Sequence, residues 1–225
     1  MVRGNDISFA LNVCDSFPSL KAQTGCWQGV FMENVNAGMK GESREGTFSD
    51  TDPLAPCNGG LVADRQRFQC YINHAGWLMR FFQSDVVGAT RACLNAGEET
   101  GACMESVGLM ATNPGWQEAL APKYGIKGSP EEVAWGLCLK FPDFWRRSCV
   151  IGAVDNIMNF DQLDASRAGT FCNLTGDAYR QICFGKIGAN LRYQATDDAR
   201  VKTGCNLFGG EGSQDCLRGA GLSDI

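Results

Sequence analysis

Apolar residues recur along the chain three or four positions apart, the spacing of one helix face, and each such run opens beside a cysteine. The clearest are Cys26-Trp27-Gln28-Gly29-Val30-Phe31-Met32, Cys70 through Met79, Cys103 through Met110, and Cys149-Val150-Ile151-Gly152 through Met158. Shorter versions follow Cys183 and Cys216. An apolar residue comes next and a glycine follows within three to six positions. Glycine inside a helix costs about 1 kcal/mol relative to alanine. Its return in every run therefore predicts a steric need, the close approach of two helix backbones.

A second helix is predicted upstream of each run, carrying an earlier cysteine near its end. Ser129-Pro130-Glu131-Glu132 supplies an N-cap serine, a proline at the first helical position and a glutamate that completes a capping box. Ser84-Asp85 and Asp197-Asp198 place acidic residues at two further helix starts, where the helix dipole favours them. Between the two cysteines of a unit stand Phe17-Pro18, Gly97, Phe141-Pro142, Gly176 or Gly209-Gly210, which read as turns between antiparallel helices.

Taken in order, the twelve cysteines form the pairs Cys14/Cys26, Cys57/Cys70, Cys93/Cys103, Cys138/Cys149, Cys172/Cys183 and Cys205/Cys216, with separations of 12, 13, 10, 11, 11 and 11 residues. Successive second members are 44, 33, 46, 34 and 33 residues apart. A period of 33–34 is the length of a two-helix repeat. The two long steps predict insertions, near residues 36–56, glycine-rich and polar, and near 112–130, punctuated by turn dipeptides. Twelve cysteines allow about ten thousand pairings, and local pairing is favoured because every unit contains its own pair. Closing a loop of this size is worth about 3 kcal/mol in the chain-entropy view. The expectation is an all-α fold, a solenoid or compact array of helical hairpins each clipped by a disulfide. It forms one domain over 1–225 with about six units, the last truncated.

Ala92-Cys93 through Cys103-Met104-Glu105-Ser106-Val107-Gly108 resembles the cysteine-rich, tetratricopeptide-related (Sel-like) two-helix repeat proteins of bacteria, and Cys26 through Asn34 is similar in character. The resemblance covers nearly the whole chain in spacing and little of it in residue identity; the links are longer and the tyrosine and leucine signature positions are mostly missing. It implies a right-handed superhelix of disulfide-clipped hairpins, secreted and engaged in protein contacts. The segments Gly29 through Val35 and Asp52 through Cys57 also look like those of uncharacterised bacterial extracytoplasmic cysteine-rich proteins. Neither likeness brings catalytic residues with it.

Composition sharpens the compartment. Hydrophobic residues make up 44% and charged residues 20%, a globular balance. A net charge of -5 argues against general nucleic-acid binding, which needs a basic face. No apolar run approaches the roughly 20 residues of a membrane helix. Twelve cysteines outside any Cys-x-x-Cys grouping point to an oxidising compartment, periplasmic or extracellular. Since Met1 through Asp6 lacks the apolar stretch of a signal peptide, a mature or truncated form is expected.

Candidate chemistry is sparse. The one histidine, His74, stands at the apolar start of a helix and reads as a packed or capping residue rather than a metal or haem ligand. Met32, Met79, Met104, Met110 and Met158 occupy predicted core positions, which outweighs soft-metal binding. Glu33 and Asn34 are expected on an exposed face, the alternative being a buried hydrogen-bonded contact to the next unit, and Ser49-Asp50-Thr51-Asp52 as a solvated turn without the glycine and distal glutamate of a calcium loop. No catalytic residue, metal or cofactor is assigned. Phe141-Pro142-Asp143-Phe144-Trp145-Arg146-Arg147 sets rings and guanidiniums in one turn, the residue types enriched at binding hot spots. Trp116, Phe144, Trp145, Arg146 and Arg147 are therefore the candidate partner contacts, against the plainer reading that they cover the disulfide. The expected function is a non-catalytic extracytoplasmic subunit making protein contacts in a larger assembly, with no nucleic acid and no membrane span. A cell-envelope hydrolase with its site in the groove of the array is the alternative, and a redox or electron-transfer accessory a weaker one.

Reducing the intact chain is expected to raise its mass by about 12 Da, two hydrogens for each of six disulfides. Before reduction the chain should take up no thiol reagent; labelling at all twelve cysteines would overturn both the clips and the compartment.

Overall fold

The computed structural model describes residues 6–43, 46–160, 165–195 and 197–222. These residues form thirteen α-helices and two short 3-10 turns, with no strand. All six disulfides pair consecutive cysteines, with Cα atoms 5.4–5.5 Å apart. The fold is thus the expected all-α array of disulfide-clipped helices. It divides into two compact units, Met1–Val107 and Gly108–Ile225.

The first unit comprises α1 (Ile7–Asp15), α2 (Leu20–Lys40), α3 (Asp64–Ile72), α4 (Ala75–Phe81), α5 (Val86–Cys93) and most of α6 (Thr100–Met110), within which the division falls. Side-chain caps start the helices. Asp6 accepts from the Phe9 amide, Ser19 from that of Ala22 and Asp85 from that of Val87. Each cap of this kind is worth about 1 kcal/mol. Two of the clips, Cys14–Cys26 and Cys93–Cys103, join consecutive helices. The third differs from expectation: Cys57 lies in a turn, so that clip ties a non-helical segment to α3.

Asp15 ties the end of α1 to its neighbours. It accepts from Trp27 Nε1 on α2 at 2.9 Å and from Arg65 at 2.6 Å and Gln66 at 3.1 Å on α3. Desolvation pushes its carboxyl up, but the hydrogen bonds from Arg65, Gln66 and Trp27 outweigh this and hold it below the ordinary carboxylate value. At the other end of α2, Arg80 of α4 donates to the terminal carbonyls of Gly38 (2.5 Å) and Met39.

The second unit holds α7 (Pro114–Tyr124), α8 (Pro130–Cys138), α9 (Arg146–Phe160), α10 (Ala165–Leu174), α11 (Asp177–Gln194), α12 (Asp198–Asn206) and α13 (Gly210–Gly219). Ser129 and Glu132 form the predicted capping box and Asp197 caps α12. Cys138–Cys149, Cys172–Cys183 and Cys205–Cys216 clip the hairpins α8–α9, α10–α11 and α12–α13. Helix α11 packs between α9 and α13, and α10 packs on α8. The predicted insertion at 112–130 is not an irregular excursion, because α7 runs through it. Asn113 caps that helix, Pro114 opens it, and buried Gln117 donates to the Ala111 and Pro130 carbonyls at 2.8 and 2.7 Å. The last hairpin likewise has a ten-residue second helix where almost none was expected.

Of the glycines that follow second cysteines, Gly108, Gly188 and Gly219 meet backbone as predicted, whereas Gly29 meets nothing within 4 Å and Gly76 meets the side chains of Val35 and Met39. A Cβ on Gly108 would stand 2.6 Å from the Cys149 backbone, and one on Gly188 would overlap the Cys216 carbonyl oxygen. Gly219 faces Gly185 across the same α11–α13 contact. Elsewhere in the second unit buried Asn156 donates to Thr112 at 3.0 Å, and Thr112 donates to the Ala153 carbonyl of α9 at 3.2 Å.

Gly188→Ala is expected to lower stability by about 2 kcal/mol or more, because backbone rather than a flexible side chain is in the way. Denaturant unfolding measures it, and a change below about 0.5 kcal/mol, as at ordinary surface sites, would show that the two helices do not touch there.

Candidate functional site

The aromatic-arginine turn lies in the second unit between α8 and α9, where Asp143–Trp145 forms a 3-10 turn. Phe141 is buried and closes the turn from inside. Phe144 is 77% exposed, so it does not cover the disulfide. Its ring meets Trp145 edge-on, with centroids 5.1 Å apart. Arg146 pairs with Asp143 at 2.5 Å, and Tyr179 of α11 donates to the Asp143 carbonyl at 3.5 Å. Tyr179 in turn lies against Trp135 of α8, centroids 5.9 Å apart. The turn is thus braced within itself and touched from outside by Tyr179, while Phe144 and Arg147 face solvent. Trp116, half-buried on α7, makes no ring contact with this turn among the described residues. Four of the five candidate contacts are thus brought together and one is not. Trp135 and Tyr179 belong to the same face, and no local pattern marks them, because they come from different helices.

His74 is a packing residue. It is fully buried, its Nε2 is 2.8 Å from the Pro53 carbonyl, and Phe48 and Tyr71 lie against it. Phe48 also stacks on Trp77, with centroids 4.3 Å apart, and enters a notch at Gly38 that any side chain would fill. Histidine and aromatics together pin the glycine-rich segment after α2 to α3 and α4. Burial lowers the His74 pKa to about 4, against a partial rise from its bond to Pro53 and the charge of Asp52. A neutral, enclosed imidazole does not serve as a solvent-facing base or ligand. Among the described residues no group of three His, Cys, Asp or Glu side chains is placed to hold a metal. The Ser49–Asp52 segment is a turn in which the Ser49 hydroxyl accepts from the Asp52 amide at 3.0 Å and Asp52 accepts from Leu54 and Asn58.

A surface that sequence reading missed lies in the first unit, between α1 and α2. An apolar cavity of about 320 Å³ is walled by Phe9, Ala10, Val13, Cys26, Val30 and Asn34, among others. Two expectations are corrected here. Met32 is 49% exposed rather than in the core, and Asn34 is buried, with no partner for its Oδ1, whereas Glu33 is exposed as expected. The other methionines are internal: Met79, Met104 and Met158 fully, Met110 in part.

These features define a class, an all-α array of disulfide-clipped helical hairpins with exposed aromatic and apolar surfaces. No helix among the described residues is long and apolar enough to cross a membrane. Comparison with protein-family models, curated proteins and solved structures finds no match.

The burial of His74 gives a pH dependence. Unfolded chains bind its proton near pH 6.5 and the folded chain only near about 4, so between these values the unfolded state carries the extra proton. Stability should fall as pH drops through that window, by about 3 kcal/mol in total. Denaturant unfolding at pH 7 and pH 4.5 should show this slope in the native chain and its absence in His74→Leu; equal slopes would contradict it.

Proposed function

We propose that this chain is a non-catalytic, extracytoplasmic protein-interaction subunit of a larger assembly, and that the Phe144 turn is its contact with a partner. The observation that carries the reading is a large ring almost wholly in solvent on a turn fixed by Trp145, Arg146–Asp143 and Tyr179. A solvent-exposed phenylalanine gains nothing in the free chain, whereas buried in a partner's pocket beside a guanidinium it is the kind of anchor that carries binding energy. Six disulfides support an oxidising setting, because they persist where thiols are not kept reduced. The lone buried histidine removes the usual proton carrier from the surface, which weighs against the hydrolase alternative.

The test is copurification of the intact chain from its native source, beside a Phe144→Ala/Arg147→Ala variant. The native chain should bring down a stoichiometric protein partner. The variant should unfold at the same temperature yet bind roughly thirtyfold more weakly, the effect of losing about 2 kcal/mol at a hot spot. Undiminished binding would remove the turn from the interface, and a chain that never travels with a partner would remove the subunit reading.

A further inference from the structure

Eleven of the twelve cysteines are exposed by 2% or less; Cys26 is the exception. In the second unit a glycine from the preceding run lies on the second cysteine of the next hairpin, Gly108 on Cys149 and Gly188 on Cys216. Cys26 has no such cover. A Cβ placed on Gly25 or Gly29 of the same helix would meet nothing within 4 Å, and the apolar cavity with unpartnered Asn34 in its wall opens alongside. Helix α2 thus has the glycines that cover and the cysteine that is covered, and uses neither.

The surface has a sense of direction. Lys21, Gly25, Gly29 and Glu33 follow at intervals of four and share one ridge of α2. Lys21 and Glu33 are exposed, and neither has an ion-pair partner among the described residues. Turned end for end about its midpoint, the ridge matches itself: each Gly25 meets a Gly29, and each Lys21 meets a Glu33. Self-complementarity of this kind is what a two-fold interface between identical chains requires.

We propose that α2 is a self-association helix, through which a second copy of this chain packs antiparallel, glycine against glycine, and covers Cys26 in both. The contact repeats between chains what Gly219 and Gly185 do within the second unit, where the missing side chains let backbone meet backbone. Ridges of residues four apart interlock at a crossing angle of about 50°. Lys21 and Glu33 at the two ends set the antiparallel sense, and Val13 and Met32, both partly exposed, add apolar area at the sides. This surface is separate from the Phe144 turn and stands whether or not that turn binds a partner.

Sedimentation equilibrium of the full, disulfide-bonded chain tests the proposal. The native chain should dimerise. Glu33→Lys, which sets lysine opposite Lys21, should weaken the dimer about tenfold, and Lys21→Glu combined with Glu33→Lys should restore it to within about threefold. Gly29→Leu should abolish it; that side chain projects into open space, so helix content and the six disulfides should be unchanged. A chain still monomeric at about 0.5 mM, a dimer indifferent to Gly29→Leu, or a charge exchange that fails to restore association would each overturn it.

Discussion

A disulfide closed over ten to thirteen residues is the constraint on which the rest of this molecule rests. Helices α3, α4, α5, α8 and α12 have only seven to nine residues, below the length at which a helix persists alone in water. Several carry glycine in mid-helix, which lowers their propensity further. The bond removes unfolded conformations rather than adding folded contacts, about 3 kcal/mol per loop in the chain-entropy view. That margin lets the sequence keep glycines where a more ordinary helical protein would place alanine or leucine.

Those glycines in turn decide how neighbouring hairpins meet. At Gly108, Gly188 and Gly219 the next backbone lies where a side chain would be, so the contact is set by main-chain shape and leaves little room for adjustment. Two of the disulfides lie at these contacts, fully buried, because Cys149 receives Gly108 and Cys216 receives Gly188. Clip and contact are one arrangement seen in two directions. Cys26, partly exposed and beside two glycines that meet nothing, takes part in no such contact among the described residues.

Much of this was visible in the sequence because it is local. Cysteine spacing, the capping box at Ser129–Glu132 and the recurring glycine are all read within a dozen residues, and together with the Asp85 and Asp197 caps they yielded the all-α class, the pairs and the starts of α5, α8 and α12. What escaped depends on distant residues. Helix α7 has no clear apolar stripe and stands through its Asn113 cap and the two bonds of Gln117, so its turn-rich sequence reads as a loop. Burial of Asn34 and exposure of Met32 follow from how α1 and α3 lie on α2, which no periodicity within α2 encodes. At the Phe144 turn the exposed ring and its guanidiniums were legible as a cluster, while Trp135 and Tyr179, drawn in from other helices, were not.

The functional reading takes its shape from the same economy of chemistry. The one histidine is enclosed and all twelve cysteines are paired, and the proposed function rests on the exposed Phe144 turn. The claim beneath all of this is that every clip is local. Peptide mapping of the unreduced chain, with each disulfide-linked pair identified by mass spectrometry, tests it most directly. The account predicts the six pairs Cys14–Cys26, Cys57–Cys70, Cys93–Cys103, Cys138–Cys149, Cys172–Cys183 and Cys205–Cys216. A native, folded chain in which any cysteine is linked across two hairpins would contradict it.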